Sequence, residues 1–142
     1  TRVEELEKAH RIIELRAYDT VYGIWKYFTV ADEHIDLATQ NYLYIVTLEG
    51  YEKMRSYFGA DKVVPIYIEV EDGQRLMRAI ERERRQGTPK YEEMCRRFLA
   101  DAADFSEEKL KKAGVETRFV NEDFDTTVQE VASYIRNDIA AD

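Results

Sequence analysis

Two apolar runs, residues 42–48 (YLYIVTL) and residues 63–70 (VVPIYIEV), constrain this chain more than any other feature of its sequence. Neither alternates cleanly between apolar and polar residues, so each is predicted as a strand buried on both faces. Helical patterns separate and follow them: residues 50–58 up to Gly59, a helix opened by Asp72-Gly73 and running to about Gln86, and a break at Gly87-Thr88-Pro89. Beyond the break, Tyr91, Met94, Cys95, Phe98, Leu99 and Ala102 recur at helical spacing and form one apolar stripe. Ser106 is a plausible N-cap for a short helix. Residues 117–120 read as a strand. Thr127-x-x-Glu130 has the capping-box pattern and opens a last helix that should bury Val128, Val131, Ile135 and Ile139. Buried strands alternating with helices predict a parallel sheet flanked by helices.

The first thirty residues differ. A short helix over 3–10 precedes two strands, 12–18 and 21–30, with a tight turn at Asp19-Thr20, so this part reads as an antiparallel ribbon. The whole is expected to be a single α/β domain over 1–142. Residues 1–40 make the ribbon, 41–75 and 115–142 the sheet core, and 76–114 a lid with its following helices.

The 142 residues are 44% hydrophobic and 35% charged, the composition of a globular chain. A net charge of −8 argues against binding a nucleic-acid polymer, which needs basic surface. No run is long and apolar enough for a membrane span, and no signal-peptide pattern opens the sequence. Cys95 is the only cysteine, which excludes an internal disulfide and suits a reducing, cytoplasmic setting. In the apolar stripe it is expected to be an inert core thiol. His10 and His34 have no nearby ligand set, so no metal site is expected.

Against that acidic background, seven of thirteen arginines fall within residues 75–97: Arg75, Arg78, Arg82, Arg84, Arg85, Arg96 and Arg97. Arg78, Arg82 and Arg85 share one helix face by their spacing, opposite Leu76 and Ile80. Clustered guanidiniums bind phosphate oxygens bidentately and could offset charge in phosphoryl transfer. They could equally form a solvated face paired with Glu81, Glu83, Asp101 and Asp104. Glu14, on a strand beside Arg16, could accept hydrogen bonds from a purine edge or simply face solvent. Tyr18, Tyr22, Trp25, Tyr27 and Phe28 could stack on a base or complete a core. The six glycines include none followed by Lys-Ser or Lys-Thr, so the sequence has no phosphate-gripping P-loop.

The order of these parts resembles the guanylate kinase family, from near residue 3 to near residue 136. Ile12-Ile13-Glu14 followed by Tyr22-Gly23 is similar to the family's nucleotide-monophosphate segment. Thr47-Leu48-Glu49-Gly50 is similar to its Asp-x-Gln-Gly, residues 76–85 to its arginine-bearing lid, Arg96-Arg97-Phe98 to the Arg-Leu of its next helix, and residues 120–125 (VNEDFD) to its Val-x-Asn-Asp-Asp-Leu-Asp. The resemblance implies a P-loop kinase-like fold lacking its first strand, with a small antiparallel monophosphate-binding ribbon and a helical lid. It implies Glu14, Tyr22 and Thr47 for GMP or a related monophosphate, Arg82, Arg85 and Arg97 for the phosphates in transfer, and Asn121 near the adenine of ATP. ATP and Mg²⁺ would serve the complete enzyme as co-substrate and ion. Thr47 stands where the family has Asp, and Ile24 where it has a hydroxyl residue. The strand and P-loop that open the family's fold have no counterpart, so this chain alone is expected to be inactive. A homodimer through exposed sheet edge is plausible. The alternatives are a non-catalytic module whose aromatic ribbon meets a peptide or protein, and a generic α/β domain whose arginines only solvate helices.

Overall fold

The structure, a computed structural model, describes residues 2–20, 23–31 and 35–139, and of Asp19 and Thr20 the backbone alone. It is mixed α/β, with six α-helices and two small sheets among the described residues. The chain divides into two compact units, Thr1–Val63 and Val64–Asp142.

In the first unit, helix α1 (Arg2–Lys8) leads into strands β1 (Ile12–Thr20) and β2 (Gly23–Val30). They pair antiparallel, from Ile12 opposite Val30 to Thr20 opposite Gly23. The expected turn at Asp19-Thr20 is therefore inside the ladder, and Val21 and Tyr22, expected to begin the second strand, lie outside the described residues. A register shift between Ile12 and Glu14 lets the consecutive Ile13 and Glu14 both be buried, which plain alternation forbids. Helix α2 (Leu48–Phe58) packs on β1 and completes a core of Ile13, Leu48, Tyr51 and Met54. The Thr47 hydroxyl caps α2 by accepting from the Gly50 N–H. Gly59 ends it with φ +101°, a conformation that suits glycine.

The strand expected over 42–48 does not form. Residues 41–47 belong to no ladder, and Leu48 is already helical. A strand exists only where a neighbour satisfies its backbone groups, and none lies alongside among the described residues.

In the second unit, β3 (Tyr67–Glu69) and β4 (Arg118–Val120) pair in parallel, Tyr67 with Arg118 and Glu69 with Val120. The strand expected over 63–70 shrinks to three residues. Pro65 offers no N–H, and Val64 and Ile68 are exposed. Between the strands run α3 (Asp72–Arg84), α4 (Tyr91–Asp104) and α5 (Glu107–Lys112). Met94, Leu110, Ala113 and Val115 form the buried core. Helix α6 (Phe124–Tyr134) packs on β4 and passes into a π-helical turn, Ile135–Ile139.

Helix α3 opens at Asp72 and α5 after Ser106, as the sequence suggests, but α6 starts earlier than its expected capping box. Asp123, not Thr127, caps α6, by accepting from the Thr126 N–H. Thr127 lies inside the helix, buried, and donates to the Asp123 carbonyl at 2.8 Å. Ser106 precedes α5 but makes no capping bond. Buried Glu83 accepts from the Lys90 N–H at 2.6 Å and so joins the end of α3 to the start of α4. The stripe on α4 buries Met94 but leaves Tyr91, Leu99 and Cys95 exposed, so Cys95 is not a core thiol. Val128 is likewise exposed. Packing covers a narrower arc of these helices than their spacing suggests.

The two carboxylate caps make the second unit acid-sensitive. The Thr126 hydroxyl, then its N–H, holds the Asp123 carboxyl below its ordinary value. The Gly73 and Gln74 N–H groups do the same for Glu71, the N-cap of α3. A depressed native pKa stabilises the fold above the unfolded pKa and is lost as pH falls through the native one. Thermal unfolding followed by circular dichroism should show the melting temperature falling below about pH 4. Asp123→Asn and Glu71→Gln together should flatten that slope. Leu110→Ala, at a side chain with 1% exposure, should cost about 2–5 kcal/mol in urea unfolding.

Candidate functional site

In the second unit, helices α3 and α4 line a partly open cavity of about 330 Å³. Arg75, Arg78 and Arg82 reach it from α3, and Arg97 and Asp101 from α4, over an apolar floor that includes Val70, Met94 and Phe98. Spacings of i, i+3 and i+7 bring the three α3 arginines to one face, and i, i+4 does the same for Arg97 and Asp101. Four arginines and one aspartate thus line the cavity, in a chain whose net charge is −8.

The four are not equivalent. Arg75 pairs with Asp72 at 3.0 Å and lies over the Phe98 ring, 4.0 Å from its centroid. Arg78 donates to the main-chain carbonyls of Asn121 at 2.9 Å and Glu122 at 3.4 Å. Both are held by the protein itself. Arg97 sits 3.6 Å from a Glu93 oxygen, but that carboxylate is gripped more closely by Arg96, at 2.7 and 2.8 Å. Arg82 has no side-chain partner among the described residues. Arg82 and Arg97 are therefore the guanidiniums available to an anion.

Arg85 does not line this cavity. It follows the last turn of α3 as its C-cap, with its N–H bonded to the Arg82 and Glu83 carbonyls. Arg75 takes the place the spacing gave to Arg85. The sequence contains that alternative, since Arg75, Arg78 and Arg82 also share a face; only the end of α3 at Arg84 decides between them. Asn121 touches the cavity wall through its carbonyl on Arg78. Its N–H donates to the Glu69 carbonyl at 2.8 Å, while its Oδ1 is buried without a hydrogen-bond partner.

The first unit holds a separate polar cluster. Glu14 is 3% exposed, on the inner face of β1 rather than towards solvent. Its Oε1 accepts from Thr29 Oγ1 and Arg16 Nη2, each at 3.3 Å. Its Oε2 lies 3.2 Å from Arg16 Nε, without the angle of a hydrogen bond, so both atoms are buried and unsatisfied in that sense. Arg16 Nη1 also donates to Thr47 Oγ1 at 3.4 Å, and Thr29 shares a 2.6 Å hydrogen bond with the Tyr44 hydroxyl. The structure thus brings Glu14 and Thr47 together through Arg16. Thr29 and Tyr44 belong to the same network. Thr29 was findable in principle, because the hairpin register places it opposite Glu14. Tyr22 lies outside the described residues.

Gly50 closes the cluster from above. A Cβ there would meet Glu14 Oε2 at 2.7 Å and the Val46 side chain closer still. The aromatic ribbon, in contrast, stays open: Tyr18, Ile24, Trp25, Tyr27 and Phe28 are exposed, with Tyr18 and Tyr27 in edge contact at 5.8 Å. These rings do not complete a core. Among the described residues no group of three or more His, Cys, Asp or Glu could hold a metal ion, and no helix is long and apolar enough to cross a membrane.

Removing Arg16 strands the Glu14 carboxylate beneath α2. Arg16→Met should therefore destabilise this unit by about 3 kcal/mol, and the Glu14→Gln/Arg16→Met pair by clearly less. The sole tryptophan, Trp25, lies in this unit, so its fluorescence during urea unfolding reads the difference.

No family model, no curated protein and no solved structure matches the chain.

Proposed function

We propose that the chain is a nucleotide-phosphate-binding domain of the guanylate kinase type, in which the α3–α4 cavity receives phosphoryl oxygens. The supporting observation is the convergence of four arginines on one cavity, two anchored by the protein, Arg97 sharing Glu93 with Arg96, and Arg82 without a side-chain partner among the described residues. Anchored guanidiniums fix the positive field in place. Arg82, and Arg97 on release of its 3.6 Å contact with Glu93, supply bidentate donors that need no rearrangement of the fold to close on an anion.

On this reading the complete enzyme transfers the ATP γ-phosphoryl group to GMP or a related monophosphate. Mg²⁺ arrives on the nucleotide's own phosphates, as this ion commonly does. The resemblance assigns the acceptor's base to Glu14, its phosphate to Tyr22, a place near the acceptor nucleotide to Thr47, and the adenine end of ATP to Asn121. The chemistry asked of the protein is charge neutralisation and positioning, with no covalent intermediate.

A specific observation favours a second reading, a non-catalytic binding module. The Glu14 carboxylate is engaged by Arg16 and Thr29 and covered by Gly50, while the aromatic ribbon is open to a peptide or protein.

Isothermal calorimetry with pyrophosphate, ATP and GMP tests both. Wild type should bind pyrophosphate and ATP. Arg82→Ala and Arg97→Ala should each weaken binding by roughly ten- to a hundredfold, at about 1.5–3 kcal/mol for a charged hydrogen bond. Arg85→Ala should change it little. Unaltered binding in the Arg82/Arg97 double variant would refute the cavity assignment. GMP binding that disappears in Glu14→Gln favours the kinase reading; none at millimolar GMP favours the module.

A further inference from the structure

We propose that Glu83 is a positioning residue for the α3–α4 anion site: it holds the two helices at the separation at which Arg82 and Arg97 face one ligand. This inference deepens the phosphate-binding reading and rests on it. Three of the cavity's arginines come from α3, but Arg97 comes from α4. The distance between Arg82 and Arg97 is therefore set by how two helices are held together, not by spacing within one. The segment that joins them, residues 85–90, supplies little packing of its own at Gly87, where a Cβ would meet nothing within 4 Å.

Glu83 is the exception on its turn. Glu81, Arg82, Arg84 and Arg85 are exposed, whereas Glu83 is 2% exposed. A buried carboxylate is costly unless its charge is met. No cation pairs with Glu83 among the described residues. What meets it is the start of α4: Glu83 Oε1 accepts from the Lys90 N–H at 2.6 Å, where the partial positive charge of the helix N-terminus lies. Lys90, the N-cap of α4, makes no side-chain capping bond of its own. The carboxylate that this terminus lacks locally is thus supplied from α3. A second tie between the helices, Arg75 over Phe98, is made by residues that line the cavity. Neither Glu83 nor Lys90 lines it. Glu83 therefore acts on a ligand through where it holds α4 against its own chain neighbour, Arg82.

Calorimetry with pyrophosphate on the full chain tests this, for variants that circular dichroism shows to be folded. Glu83→Ala should weaken binding roughly tenfold. Electrostatics alone predicts the opposite sign, because removing a negative charge near an anion site strengthens anion binding. Glu83→Asp keeps the charge but falls one methylene short of the Lys90 N–H, and should weaken binding similarly. Glu83→Gln keeps an acceptor and should bind no more than about twofold more weakly than wild type. Leu110→Ala, destabilised in the core of the same unit, should bind as wild type does. Wild-type affinity in Glu83→Asp or Glu83→Ala overturns the positioning role and leaves the cavity assignment standing. So does a Glu83→Gln variant as weak as Glu83→Ala, or an equal loss in Leu110→Ala. A wild type that binds no pyrophosphate overturns the cavity assignment itself, and the positioning role with it.

Discussion

The backbone N–H and C=O groups of a strand are satisfied by a neighbour, and that single requirement shapes both units of this protein. Where a neighbour exists, pairing is complete. The hairpin runs through eight partnered positions from Ile12 to Thr20, and β3 and β4 meet in a three-residue parallel ladder. Where none exists, composition does not help. The run YLYIVTL is as apolar and β-branched as a buried strand, yet it forms no ladder and surrenders Thr47 and Leu48 to the start of α2.

Arginine clustering acquires meaning from what holds each side chain. Sequence spacing counts guanidiniums on a face but does not say which are already engaged. In the α3–α4 cavity, Arg75 is fixed by Asp72 and Phe98, and Arg78 by two carbonyls at the start of α6. Those contacts turn two of four similar residues into scaffold. They leave Arg82, which has no side-chain partner among the described residues, and Arg97, which shares Glu93 with Arg96, as the less engaged pair. The same logic runs in reverse at Glu14, where Arg16, Thr29 and Gly50 occupy the carboxylate that strand alternation would have left facing water.

Helix existence was readable from the chain, while helix ends and faces were less so. Gly59 and the Gly87-Thr88-Pro89 break stop helices for reasons local to the backbone, and they act where the sequence puts them. Capping is a competition between nearby residues. Asp123 lies four positions before Thr127 and wins, because its carboxylate accepts both the N–H and the hydroxyl of Thr126. Cys95 and Leu99 fit the apolar period of α4, but among the described residues no element covers that arc, and both are exposed.

The sequence by itself determined the helical segments, the antiparallel ribbon, the parallel sense of β3 and β4, and the concentration of positive charge on two successive helices. All of these follow from periodicity, turn chemistry and chain order, which are local. The tertiary structure alone decided that Arg75 and not Arg85 joins the cavity, that Glu14 is enclosed, and that residues 41–47 join no ladder. Each of those depends on where one helix stops or on which groups a distant segment brings into reach, and neither is encoded in the residue concerned.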